Sequence, residues 1–219
     1  MFYRYNLPIN SKLCMYPKMD IKIYHAYIKK AKRKRDIHMC KPLDKIFSKT
    51  ASEILTELGM SEEIPIQLEP ILKHYGIAAL PYDFSEIEQN ERSQLSEGED
   101  GEGNILGVMI SNGDRAGIFY RKDDTVNRQR FTIAHELGHC ATAHEPIKDS
   151  IRYRRDKISN DEKEILANTF AGALLIPEKS LRILHRAMPI PYTSLLAKAF
   201  AVSTNVMKAR MINLELAYV

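Results

Sequence analysis

Residues 128–141 read RQRFTIAHELGHCA, and the residues able to do chemistry there are His135, Glu136 and His139. They form H-E-x-x-H. At 3.6 residues per turn the two histidines stand one turn apart on one helix face, so both imidazoles can reach a single metal ion. Glu136 is offset by about 100° from His135. It therefore stands beside the ion as a general base rather than as a ligand. Zn²⁺ in such a site lowers the pKa of a water toward about 7, and the glutamate takes its proton as the oxygen attacks a carbonyl. His and carboxylate ligands also accept other divalent ions.

A tetrahedral catalytic centre needs a third protein ligand and one open position. His144 follows His139 by five residues, which turns it to about 140° around the helix, so it could bind only if the helix broke first. The metzincin pattern requires Gly at 142 and His at 145, and this chain has Thr142 and Glu145. The remaining candidate is Glu164, on a segment where Leu166, Phe170, Ala173 and Leu174 make an apolar helical stripe ending at Pro177. A glutamate on a helix packed against the first completes gluzincin-type sites. Glu164 and Asn168 share a face at i,i+4, which would put Asn168 in position to accept a hydrogen bond from a ligand imidazole and hold its tautomer. The plainer alternative makes Glu164 one of several exposed acids in DEKE.

RFTIAHELGH, followed 25 residues after His139 by ExxANxFAxxLLxP over residues 164–177, resembles the ImmA/IrrE family of metallo-endopeptidases. The resemblance runs from about residue 50 to the C-terminus and includes the helix at 65–77 and the hairpin leading into RQRF. It implies His135, His139 and Glu164 as zinc ligands and Glu136 as general base. It also implies a narrow protein substrate: a helix-turn-helix repressor of a prophage, mobile element or stress regulon.

These residues need elements to hold them. Ile46, Ile54, Leu55 and Leu58 recur at helical spacing, with Gly59 closing the segment. A second helix follows Pro65, with Leu68, Ile71 and Leu72 inward and Gly76 at its end. Residues 77–80 read as a short strand. ILGVMIS and AGIFY form a hairpin across Asn112-Gly113-Asp114-Arg115, and Thr132 is suited to cap or open the helix that follows. Substrate would add as an extended strand beside the edge of this hairpin sheet. After Pro189 and Pro191, Leu195, Leu196, Ala199 and Phe200 make one apolar face, and Val206, Met207, Arg210 and Met211 a second helix. Val202-Ser203-Thr204 supplies the turn and N-cap between them. This tail is similar to a helix-turn-helix, but with only Lys198, Lys208 and Arg210 basic it reads as a buttress to the core. The predicted fold is α+β: a gluzincin-like metallopeptidase with a small antiparallel sheet, an HExxH helix and a helix-turn-helix-like C-terminal segment. Its parts are a basic extension over 1–45, a core over 46–188 and a helical tail over 189–219.

With 219 residues, 44% of them hydrophobic and 27% charged, the chain has globular composition and can bury a core. No apolar run approaches the ~20 residues of a membrane span, and the N-terminus has no apolar signal core. Three cysteines without a CxxC pair favour a reducing compartment, so the expected location is cytoplasmic. The net charge of +4 hides a partition: 13 Lys and Arg face 3 Asp and Glu over residues 1–50, but 7 face 18 over 51–145. Residues 29–35, KKAKRKR, read as a solvated arm, with an anionic partner such as nucleic acid as the sharper alternative. Residues 83–103, with eight acids and one Arg, read as a surface loop. The rival readings are a DNA-associated regulator with a non-catalytic zinc site and a zinc hydrolase of small amides. Glu136 speaks against the first, since a structural zinc site has no use for a general base.

Overall fold

In the computed structural model the elements follow in the order α1 (Pro42–Ile46), α2 (Ala51–Glu57), α3 (Leu68–Tyr75), β1 (Ile77–Tyr82), β2 (Ile105–Ser111), β3 (Ala116–Arg121), α4 (Val126–Ala141), β4 (Ser150–Arg155), α5 (Glu162–Leu175), α6 (Glu178–Ala187), α7 (Thr193–Phe200) and α8 (Thr204–Asn213). The structure describes residues 42–85, 105–111, 115–142, 150–155 and 162–219. The basic run at 29–35, nearly all of the acidic stretch, the hairpin turn at 112–114 and His144 lie outside the described residues.

The run of apolar residues from 46 to 58 is two helices rather than one. Thr50 interrupts it with a capping box: its side chain accepts from the Glu53 amide, and the Glu53 carboxylate accepts from the Thr50 amide at 2.7 Å. Satisfying those donors makes a fresh helix start there more favourable than continuation. Leu68, Ile71 and Leu72 are buried on α3 as expected, and Gly76 ends it in the left-handed region at φ 67°.

The described strands form one sheet in the order β1-β3-β2-β4. β2 and β3 make the expected antiparallel hairpin pair, with Val108 opposite Phe119. β1 instead runs parallel to β3, Ile77 opposite Ala116, so the sheet is mixed and not purely antiparallel. β1 and β2 run in opposite directions with β3 between them, so a hairpin-length turn could not join them, whereas the 22 residues of 83–104 are long enough to pass the position of β3. β4 pairs with the far side of β2. Both hairpin strands are therefore interior, and the sheet edges are β1 and β4. A β-bulge falls in β2 between Ile105 and Gly107, where the register against β4 slips.

One sheet face, carrying Met109, Ile118 and Tyr120, joins a single apolar cluster with α4 (Ala134, Leu137, Cys140) and α5 (Phe170, Ala171, Leu174). On α5 the buried stripe is Ala167, Phe170, Ala171 and Leu174; Leu166 and Ala173 are half-buried. Thr132 neither caps nor opens α4. The helix begins after Thr125, and Thr132 is buried in its middle, because the sheet-facing side there admits only a compact side chain. The tail is part of the same cluster through Leu196, Phe200, Met207 and Met211. Leu195, expected inward, is 52% exposed, the α7 face being turned by one residue so that Ala197 is buried. Ser203 caps α8 by accepting from the Val206 amide at 3.3 Å.

Polar ties fix α4 at both ends. Asn127 Nδ2 donates to Val202 O at 3.1 Å, and Arg130 donates to Ala201 O at 3.2 Å and Ile66 O at 2.9 Å. At the other end, the Ser48 amide donates to Ala141 O at 2.9 Å. Burial pushes the Arg130 guanidinium down from its usual value, yet an arginine keeps its proton at neutral pH. No helix among the described residues is long and apolar enough to cross a membrane.

Candidate metal centre

The HExxH segment occupies the C-terminal half of α4, where every residue from Thr132 to Ala141 is buried. α5 lies antiparallel against it, so that His135 meets Asn168 while His139 meets Glu164. Glu164 Oε2 is 3.2 Å from His135 Nε2, and Glu164 Oε1 is 3.0 Å from His139 Nε2. The imidazole planes meet at 86°, centroids 4.6 Å apart. Among the described residues this is the one group of three His, Cys, Asp or Glu side chains able to hold a metal ion, its ligand atoms all within 4.8 Å of one another.

Whether a metal suits these residues can be judged from their protons. Asn168 Oδ1 lies 2.9 Å from His135 Nδ1. An amide oxygen only accepts, so Nδ1 carries the hydrogen and the Nε2 lone pair points at the Glu164 carboxylate. Electron-rich atoms brought this close are what a cation between them satisfies. Tetrahedral zinc with bonds of about 2.0–2.1 Å places neighbouring ligand atoms roughly 3.3 Å apart, close to the separations seen. Two imidazoles and one carboxylate also form a donor set for such an ion. The residues fit a metal.

Exposure rises across the group: His135 is fully buried, Glu136 1% and His139 8% exposed, while the Glu164 side chain is 31% exposed. The approach from outside is therefore on the α5 side. The Glu136 carboxylate comes close to β2 of the sheet. Gly107 of β2 lies over it: a Cβ there would stand 2.5 Å from Thr132 Cγ2 and 3.5 Å from Glu136 Oε1. Strand β2 can pass this close to α4 only with glycine at that position. Sequence reasoning missed Gly107, although a glycine inside an apolar β-run was a signal for close backbone approach. Gly138, within HExxH itself, meets Ala167 on the other side of the helix. His185 Nε2 donates to the Ala217 carbonyl at 2.7 Å.

A metal-capable His-His-Glu group on paired helices, set in an α+β fold, is the arrangement of a metallopeptidase. A peptidase family model described as the IrrE N-terminal-like domain matches residues 95–211. That span is more than half of the chain and includes both the HExxH helix and α5. The chain belongs to this family, as the paired motifs led one to expect. None of the curated proteins compared with the chain matches it significantly.

Proposed function

We propose that the protein is a cytoplasmic zinc-dependent endopeptidase of narrow specificity, cutting a helix-turn-helix transcriptional repressor of a mobile element or stress regulon. The observation that carries the catalytic reading is the convergence of His135, His139 and Glu164 on one point, with Glu136 next to His135 in the HExxH helix. Zinc held by His135 Nε2, His139 Nε2 and the Glu164 carboxylate would polarise the scissile carbonyl and acidify water. Glu136 takes the proton of the attacking water and returns it to the leaving amine. Asn168 holds His135 in the tautomer that keeps its Nε2 lone pair available. Residues 46–188 act as the catalytic core and 189–219 as a helical buttress resembling a helix-turn-helix. Residues 1–45 form a basic extension. The repressor substrate follows from family resemblance, which also accounts for the narrow specificity.

The test compares wild type with Glu136→Gln for metal content and for cleavage of candidate repressors. One equivalent of zinc in both, with cleavage by wild type alone, is the expected result. A metal-free wild-type protein, or equal cleavage by both, refutes the reading.

A further inference from the structure

Glycine inside a helix costs stability relative to alanine, yet Gly138 sits in the last turn of α4 between the two histidines. The neighbouring helix explains it. A Cβ at Gly138 would lie 2.8 Å from Ala167 O, 3.0 Å from Ala167 Cα and 3.2 Å from Phe170 Cδ1. Two of these are backbone atoms of α5, which cannot swing aside as a side-chain tip can. Gly172, also on α5, has nothing within 4 Å of its would-be Cβ, so the close approach is local to Gly138. Ala167 is three residues beyond Glu164 and adjacent to Asn168. Whatever displaces α5 at Ala167 displaces both side chains that meet the histidines.

We infer that Gly138 is a positioning residue of the metal centre, acting through Glu164: its missing side chain sets the separation of α4 and α5 at which one carboxylate spans both imidazoles. The inference rests on the zinc reading above. Alanine at 138 falls roughly 0.4–0.6 Å short of ordinary contact with the Ala167 backbone, whereas metal–ligand distances tolerate only about ±0.2 Å. A close-packed interior cannot absorb that shift by compression, so the helices part and the Glu164 carboxylate is drawn away from His135 and His139.

The experiment measures Zn²⁺ affinity by chelator competition on full-length wild type, Gly138→Ala, Glu164→Ala, the double variant Gly138→Ala/Glu164→Ala, and Gly172→Ala. Helical circular dichroism of each protein is recorded alongside. Gly138→Ala is expected to keep its helical signal and to bind Zn²⁺ about 10–100-fold more weakly. The double variant should bind no more weakly than Glu164→Ala, because the ligand through which Gly138 acts is already gone. Gly172→Ala should bind as wild type does. If Gly138→Ala alone does not fold, Gly138→Ala/Gly172→Ala sets the same wedge on α4 against an α5 strengthened by the second alanine. Wild-type affinity in a folded Gly138→Ala protein, or a loss that persists undiminished in the Glu164→Ala background, overturns the inference while leaving the zinc reading intact. No Zn²⁺ bound by wild type, or undiminished affinity in Glu164→Ala, overturns both.

Discussion

Replacing Gly107 by alanine places a methyl group 2.5 Å from Thr132 Cγ2 and 3.3 Å from Phe119 O. The first distance is far inside any real contact, and both partners are buried. Overpacking of this kind costs about 1–3 kcal/mol. Alanine recovers roughly 0.4–1 kcal/mol by restricting the unfolded chain, which leaves a net loss near 1–2 kcal/mol. At about 2–4 °C per kcal/mol for a chain of this size, Gly107→Ala should melt roughly 2–8 °C below wild type. Thr132→Ser removes the Cγ2 that the new methyl strikes. In the double variant Gly107→Ala/Thr132→Ser most of the alanine penalty should vanish, a coupling of about 1–2 kcal/mol, well outside the ~0.5 kcal/mol of additive sites. Urea or thermal unfolding of the four proteins of the cycle measures it. Gly107→Ala melting with wild type, or strictly additive effects, would show that β2 does not lie against α4 at this point.

Asn168→Ala removes the acceptor of the His135 Nδ1 proton and should weaken Zn²⁺ binding about 10–100-fold in a chelator titration, whereas Asn168→Asp should preserve it. Because His135 is fully buried, Asn168→Ala should also cost the metal-free protein about 1–3 kcal/mol by leaving the Nδ1 donor unsatisfied, a loss Asn168→Asp should avoid. Arg130→Met keeps the apolar stem but strips the donors from Ile66 O and Ala201 O; a loss of about 2–3 kcal/mol in urea unfolding is expected. The Asp83 carboxyl is held well below the usual carboxylate range, first by Lys122 and then by the Ser85 hydroxyl and amide. A depressed carboxylate stabilises the fold above its unfolded pKa of about 3.9 and loses that contribution as pH falls toward its folded value. Asp83→Asn should therefore melt below wild type at neutral pH and converge with it as the pH drops below about 4. Since the pair is exposed, salt should shrink the gap.

The metal-capable group was legible because its signals are local. His135 and His139 are one helical turn apart, Glu164 and Asn168 another, and each pair declares its face by spacing alone. What joins the two pairs was only implied by resemblance. The hairpin strands and α3 were legible from apolar runs bounded by glycine. β4 was not: Ser150–Arg155 reads SIRYRR, and only its pairing with β2 makes those residues a strand. α6 was passed over because Pro177 looked like an ending, although Ser180 and Leu181 are buried where α6 begins. The tail face was off by one residue, since period alone does not say which side meets the core. Arg130 stood in plain view in RQRF, but its two carbonyl partners come from residues 66 and 201, and no local pattern marks them.

The hold of Asn127 and Arg130 on Val202 and Ala201 couples the metal-capable group to the C-terminal helices. The helix that grips the tail is the one carrying His135, Glu136 and His139. Leu196, Phe200, Met207 and Met211 together bury side chains worth about 2 kcal/mol each, a sum comparable to the whole stability of a domain. A chain truncated before Ile190 would therefore lose burial of that order and, with it, the two carbonyls that anchor the helix carrying His135, Glu136 and His139.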